Sequence, residues 1–291
     1  MIENNFISAT DLDSENQNQF SLTSSSSDCY ILQEDDLAIQ RLISLNKDSN
    51  PYSQNFLSKI KLPQDCMILT VGCGIGILET WMAKKLCPSG HITAIDSSEN
   101  FVNFARGRAS SLGIENITFI CKDIYEIDWS DQFDFVHCRF FLEHLESPKE
   151  AISKILRSLK DQATFLIEDD ELSANYTDPP HPGYQDTLAL AKRVANILGV
   201  DYDIGRSLQM LIKEQDAVIL KSHAHDCEMI TPEQRLTFEQ TLKESSLNLI
   251  TKGIISQKEI DKLLQGLKEM REGDYKIFEK FHQVYAQKIM R

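Results

Sequence analysis

Short apolar runs rich in β-branched residues alternate along this chain with longer stretches whose apolar positions recur three and four apart, the signatures of buried strands and amphipathic helices. The first such run, Met67-Ile68-Leu69-Thr70-Val71, predicts a strand buried on both faces. Three glycines at alternate positions, Gly72, Gly74 and Gly76, end it, and a helix-compatible segment through Met82 to Leu86 follows. His91 to Ile95 predicts a second strand, ending in Asp96. Ser97-Ser98 can cap a helix from Glu99 to Ser111, stopped by Gly113. Further strands are expected at Asn116–Ile120, Phe133–Cys138 and Thr164–Glu168, with a helix from Pro148 to Leu159 between the last two.

Beyond the fifth strand the pattern turns mainly helical. A proline-rich loop, Tyr176 to Tyr184, precedes helices at Gln185–Leu198 and from Ile204 to about Lys213. Ala217 to Lys221 and the residues after it read as a sixth strand. Thr231-Pro232-Glu233 is a helix start, cap then proline then acid, for a helix to about Leu247. Another helix spans Ser256 to Met270, and Phe281 to Ile289 fits a seventh, closing strand. That helical pair would cover a substrate pocket; the alternative is a pair docked elsewhere, for stability or as a homodimer contact. Upstream, order is expected from Tyr30-Ile31-Leu32, then two helices, Leu37 to Leu45 and Tyr52 to Ile60, as a lid.

A strand, a glycine turn and a helix in that order let backbone approach a ligand closely and aim helix N–H groups at it. Asp96 lies 22 positions after Gly74, where a carboxylate can accept both hydroxyls of a ribose. The third strand delivers Cys121-Lys122-Asp123-Ile124, placing Asp123 where it could accept an adenine amine while the Ile124 main chain reads the ring. These features predict a nucleoside-cofactor site; the alternative is a tight turn with no ligand. A dinucleotide fingerprint would need its third glycine at position 77, which is Ile77. The glycines run G-x-G-x-G instead, and with Val71 before them they resemble the first motif of the Rossmann-like, S-adenosylmethionine-dependent methyltransferases.

Arg139-Phe140-Phe141-Leu142-Glu143-His144 and Glu168-Asp169-Asp170 carry the likeness further. Over about residues 30–230 the chain resembles the small-molecule methyltransferases related to ubiquinone and menaquinone biosynthesis. The resemblance implies an α/β fold with a seven-stranded, mostly parallel Rossmann-like sheet, helices on both faces and an antiparallel last strand. A helical N-terminal lid and a helical insertion before the last strand complete it. It also implies S-adenosylmethionine as cofactor, held by Gly72, Cys73, Gly74, Gly76, Asp96, Ser97, Asp123, Ile124, Cys138 and Arg139. The expected organisation is a flexible polar segment (1–28), the lid (29–62), the cofactor-binding core (63–170) and substrate-side helices with completing strands (171–291).

The reaction so implied is in-line methyl transfer to a small-molecule acceptor. His144 is the candidate general base, with a helix-packing histidine as the alternative. Arg139 is the second candidate; it could bind an acidic group of the acceptor, or pair internally with Glu168 or Asp169. Asp170, Glu171, Tyr176, His181 and Tyr184 are candidates for the acceptor site. Two departures from the family pattern stand out. Thr70 replaces an acidic residue that often organises the methionine end of the cofactor, and a hydroxyl could partly substitute by hydrogen bonding. Asp161-Gln162-Ala163 replaces a Pro-Gly-Gly turn remote from the ligand. Other readings are a methyltransferase acting on protein or another macromolecule, and a protein that binds the cofactor without catalysis. Ile77 disfavours a nicotinamide oxidoreductase.

Composition narrows the partners. A net charge of −14 with no concentrated basic patch disfavours nucleic acid. No apolar run reaches the ~18 residues of a membrane span, and the polar, acidic opening Met1 to Asn5 is unlike a signal peptide, so a cytoplasmic location is expected. Seven cysteines without a C-x-x-C pair argue against a disulfide framework or a zinc ribbon. His223 and His225 share a strand face but lack an evident third ligand, so no metal is expected.

Overall fold

The computed structural model describes Leu32 and residues 34–290. The expectations for 1–28 and for Tyr30-Ile31 lie outside the described residues. Along the chain run α1 (Asp36–Leu57), β1 (Met67–Val71), α2 (Ile77–Lys85), β2 (His91–Asp96), α3 (Glu99–Ser111), β3 (Ile117–Cys121), β4 (Phe133–Arg139), α4 (Pro148–Ser158) and β5 (Leu159–Asp170). They are followed by β6 (Tyr176–Asp178), α5 (Pro182–Leu198), α6 (Leu208–Lys213), β7 (Ala217–Met229), α7 (Pro232–Thr251), α8 (Gln257–Glu272) and β8 (Lys276–Lys288).

The sheet order is β3-β2-β1-β4-β5-β8, with β6 and β7 both paired to β8. The first five strands are parallel, and β8 is antiparallel to all of its neighbours. The chain winds outward from β1 in one direction and then, from β4, in the other. Such a reversal leaves a crevice beyond the carboxyl ends of β1 and β4, where parallel sheets bind ligands. Alternation along each strand feeds two cores. Leu69, Val71, Val136 and Phe165 pack with α4 and α6 on one face. Ile68, Ile92, Phe135 and Leu166 pack with α2, α3 and the end of α1 on the other. Each fully buried side chain of this size contributes about 1.5–3 kcal/mol.

The expected seven strands become eight: Tyr176–Asp178, inside the proline-rich loop, forms a short strand against Lys276–Phe278. The two expected N-terminal helices are one, because α1 continues through Pro51. A proline inside a helix removes a hydrogen bond and strains the turn before it. Here Asn46 and Asn50 before Pro51, and Ser53 after it, all accept hydrogen bonds from Arg139, so tertiary contacts hold the helix together through the break. The predicted caps are present: Ser98 starts α3, and Thr231 starts α7 in a capping box with Gln234. Among the described residues no helix is long and apolar enough to cross a membrane.

Candidate active site

A cavity of about 700 Å³ opens at the switch point. Gly72, Cys73 and Gly74 from the turn after β1, Asp96 and Ser97 after β2, Asp123 and Ile124 after β3, and Arg139 at the end of β4 line it together. Helices α1, α5 and α7 roof it through Leu42, Leu188 and Leu242, so α7 of the helical pair covers the pocket. Two expected cofactor residues lie elsewhere. Gly76, at φ 71°, closes α2 onto its neighbours: a Cβ there would stand 2.8 Å from Ala105 Cβ and from the Phe119 ring. It serves a close approach of α2 to α3 and β3. Cys138 is 1% exposed, packs in the core with Val71 and Ile167 and does not reach the cavity lining.

Asp96 holds the glycine turn in shape. Its Oδ2 accepts the Gly74 N–H at 2.7 Å and its Oδ1 accepts the Ser98 N–H at 3.0 Å. Burial pushes its carboxyl up to about 6 against the pull of those N–H groups. Asp123 Oδ1 accepts the Tyr125 N–H at 2.8 Å, ordering the turn after β3. Glu79, in the first turn of α2, was not singled out by the motif; it lines the same wall, and burial lifts it to about 7. Thr70 is buried, its hydroxyl has no hydrogen-bond partner and it does not reach the lining, so the expected substitution for a carboxylate is not made.

Arg139 forms no direct pair with Glu168 or Asp169; Ser53 stands between. The guanidinium donates to Ser53 Oγ at 2.8 Å and to Asn46 and Asn50 Oδ1 at 2.9 Å each, and Ser53 Oγ donates to Glu168 Oε2 at 2.8 Å. His137 Nε2 lies 2.8 Å from the same Glu168 oxygen, and Gln283 donates to the other. Burial alone would raise Glu168, but hydrogen bonding and charge from His137, with Arg139 and Gln283, hold it below the usual carboxylate range. Asp169 accepts the Phe141 and Leu142 N–H groups at 3.1 Å each, fixing the turn that carries the lining residues Phe141 and His144.

His144 faces the cavity, with Nε2 3.4 Å from Glu143 Oε1 and its ring edge-on to Tyr202. Burial, with the nearby Arg41 charge, lowers it to about 4 and keeps it neutral near pH 7. Of the acceptor candidates, Asp170 and Tyr184 line the cavity. Glu171 instead pairs with His282 at 2.7 Å, Tyr176 is 52% exposed and stacks on Phe278, and His181 caps α5 by accepting the Gly183 N–H. Glu143 and Glu279 line it unforeseen. Among the described residues there is no group of metal ligands, and His225 Nε2 lies 2.6 Å from Gln283 Oε1. All described cysteines are thiols.

Comparison with known proteins agrees with this geometry. A family model described as a methyltransferase domain matches residues 62–266. The malonyl-(acyl-carrier protein) O-methyltransferase of Priestia megaterium is 29% identical over 118 residues, 40% of each chain. The demethylmenaquinone methyltransferase of Listeria monocytogenes serotype 4a is 29% identical over 94 residues, 32% of this chain and 40% of that one. The chain thus matches about two fifths of the length of these relatives. A solved S-adenosylmethionine-dependent methyltransferase from Aquifex aeolicus shares the fold, with a TM-score of 0.52 at 14% identity over 87% of this chain and 99% of that one. Because the family match runs unbroken from the start of the sheet into α8, taking in the glycine turn and most of the cavity wall, this chain belongs to the methyltransferase-domain family.

Proposed function

We propose that this protein is an S-adenosylmethionine-dependent methyltransferase that passes its methyl group in line to a small-molecule acceptor. The observation that carries the reading is the shared cavity wall formed by the Gly72–Gly74 turn, Asp96 and Asp123 at the switch point. The wall fits a nucleoside. Gly74 leaves open space, since a Cβ there would meet only Leu42 at 3.8 Å. Asp96 offers a carboxylate to ribose hydroxyls from a fixed orientation, and Asp123 with Ile124 offers polar groups to the base edge. Glu79 would hold the ammonium of the methionyl end, the part that the family pattern gives to the acidic residue Thr70 replaces. Arg139 would orient that end while tying β4 to α1.

The cofactor supplies a methyl group on a positively charged sulfur. The chain's part is to hold an acceptor in line with it and to exclude water, which the roof from α1, α5 and α7 accomplishes. His144, neutral and facing the same space, can accept a hydrogen bond or a proton from the acceptor. Incubation with methyl-labelled S-adenosylmethionine and separated metabolite and protein fractions tests the reading. Label is expected in the metabolite fraction; label confined to protein, or no binding of S-adenosylhomocysteine, would contradict it.

A further inference from the structure

The cavity wall is acidic beyond what the cofactor reading uses. Glu143 from the turn after β4, Asp170 at the end of β5 and Glu279 on β8 all line it. Asp170 lies opposite Phe281 across the β5–β8 ladder, and Glu279 is two residues along from Phe281. With the two-residue period of a strand, Asp170 and Glu279 therefore leave the sheet on the same face. Burial first, then repulsion from neighbouring carboxylates, pushes Glu279 up to about 8 and Glu143 well up, while burial holds Asp170 at about 7 against the pull of the Arg139 charge. Each carboxylate is costly there as an anion, and the Arg41 and Arg139 charges offset that cost only in part, at Glu143 and Asp170.

Tyr184 is an independent sign of a ligand. It is 1% exposed, lines the same cavity, and its buried hydroxyl has no hydrogen-bond partner. After burial itself, the charges of Glu279 and Asp170, which line the same cavity, raise its pKa. The charges of Arg41 and Arg139 ease Glu143 and Asp170 respectively, while both guanidinium groups also make hydrogen bonds outside this carboxylate group. Arg41 donates to Glu244 at 2.6 Å and 3.3 Å, and Arg139 is committed to α1. The surrounding wall is apolar and aromatic, from Phe140, Phe238, Leu242 and Leu249.

We propose that the acceptor is an amine whose ammonium group lies among Glu143, Asp170 and Glu279, with the Tyr184 hydroxyl as a further polar partner and an apolar body along α7. The proposal rests on the methyl-transfer reading and names its substrate class. An anionic acceptor would oppose ionisation of three carboxyls that burial already keeps protonated, whereas a cation favours their ionisation and pairs with them, and aromatic faces add to its hold. Before attack the ammonium gives one proton to this carboxylate group, which Glu143 joins to His144. The nitrogen lone pair then forms the N–C bond as the methyl–sulfur bond breaks, with that bonding pair staying on sulfur. The positive charge ends on the methylated nitrogen, where the same carboxylates face it.

The test is calorimetric titration of the full chain, saturated with S-adenosylhomocysteine, with n-octylamine, 1-octanol and octanoate. Octylamine is expected to bind at least about ten-fold more tightly than octanol, and octanoate more weakly than either. Its heat should vary with the buffer's ionisation enthalpy, because protons leave the carboxylates when the cation enters. The paired change Glu279→Gln and Asp170→Asn should abolish the preference, Tyr184→Phe should weaken it, and both should leave S-adenosylhomocysteine affinity within about two-fold. Octanol or octanoate binding as well as octylamine, or a preference that survives the paired change, overturns the amine assignment alone. Failure of wild-type protein to bind S-adenosylhomocysteine overturns the methyl-transfer reading and the amine assignment with it.

Discussion

Asp96 joins two levels of the structure in one side chain: it clamps the Gly74 and Ser98 N–H groups and lines the cavity. It was legible because its spacing from Gly74 lies within one βαβ unit, where chain connectivity dictates position. Asp123 was legible for the same reason. Glu143 and Glu279 were not, since only the β5–β8 register and the turn after β4 bring them to Asp170, and neither leaves a local pattern. His144 invites a direct test at this scale. His144→Asn is expected to lower methyl transfer by about a hundredfold. Its dissociation constant for S-adenosylhomocysteine should stay unchanged, and an equal loss of both would reduce the residue to packing.

The elements were readable where apolar periodicity was strong. Helix α3 runs over the residues its pattern predicts, and β1 ends where the glycines begin. Local propensity divides α1 in two at Pro51, while the contacts that override it come from Arg139 on β4. Strand β6 is not legible locally because three residues before a pair of prolines carry no periodicity; only pairing with β8 makes them a strand. Docking of α1 can be tested at Ser53, which lies between buried Glu168 and Arg139. Ser53→Ala should cost about 1–3 kcal/mol in denaturant unfolding, because a buried charged group loses its hydroxyl partner. Gly76→Val combines a strained positive φ with a clash against Ala105 and Phe119, and should lower stability by about 2–4 kcal/mol by the same measurement.

At the scale of the whole molecule the cavity charges govern pH dependence. Glu79 at about 7, Asp170 at about 7 and Glu279 at about 8 hold protons in the folded state at pH values where the unfolded chain has lost them. Carboxyls raised in this way stabilise the fold below their unfolded pKa values, and that stability is lost as pH rises through the folded ones. His144 acts oppositely: lowered from 6.5 to about 4, it contributes stability at neutral pH that is lost as pH falls through about 4. Above about pH 6.5 only the downward trend from the carboxyls remains among these four groups, so Tm without ligand should fall between about pH 6.5 and 8. Scanning calorimetry should find a shallower fall in Glu279→Gln.

The central claim is that an adenosine lies against Gly72–Gly74, Asp96 and Asp123, and titration of wild-type and Asp96→Ala protein with S-adenosylhomocysteine addresses it most directly. Asp96→Ala, folded by circular dichroism, is expected to bind at least about a hundredfold more weakly, through loss of the ribose contact and release of the turn. Equal affinity in the two proteins would contradict the account.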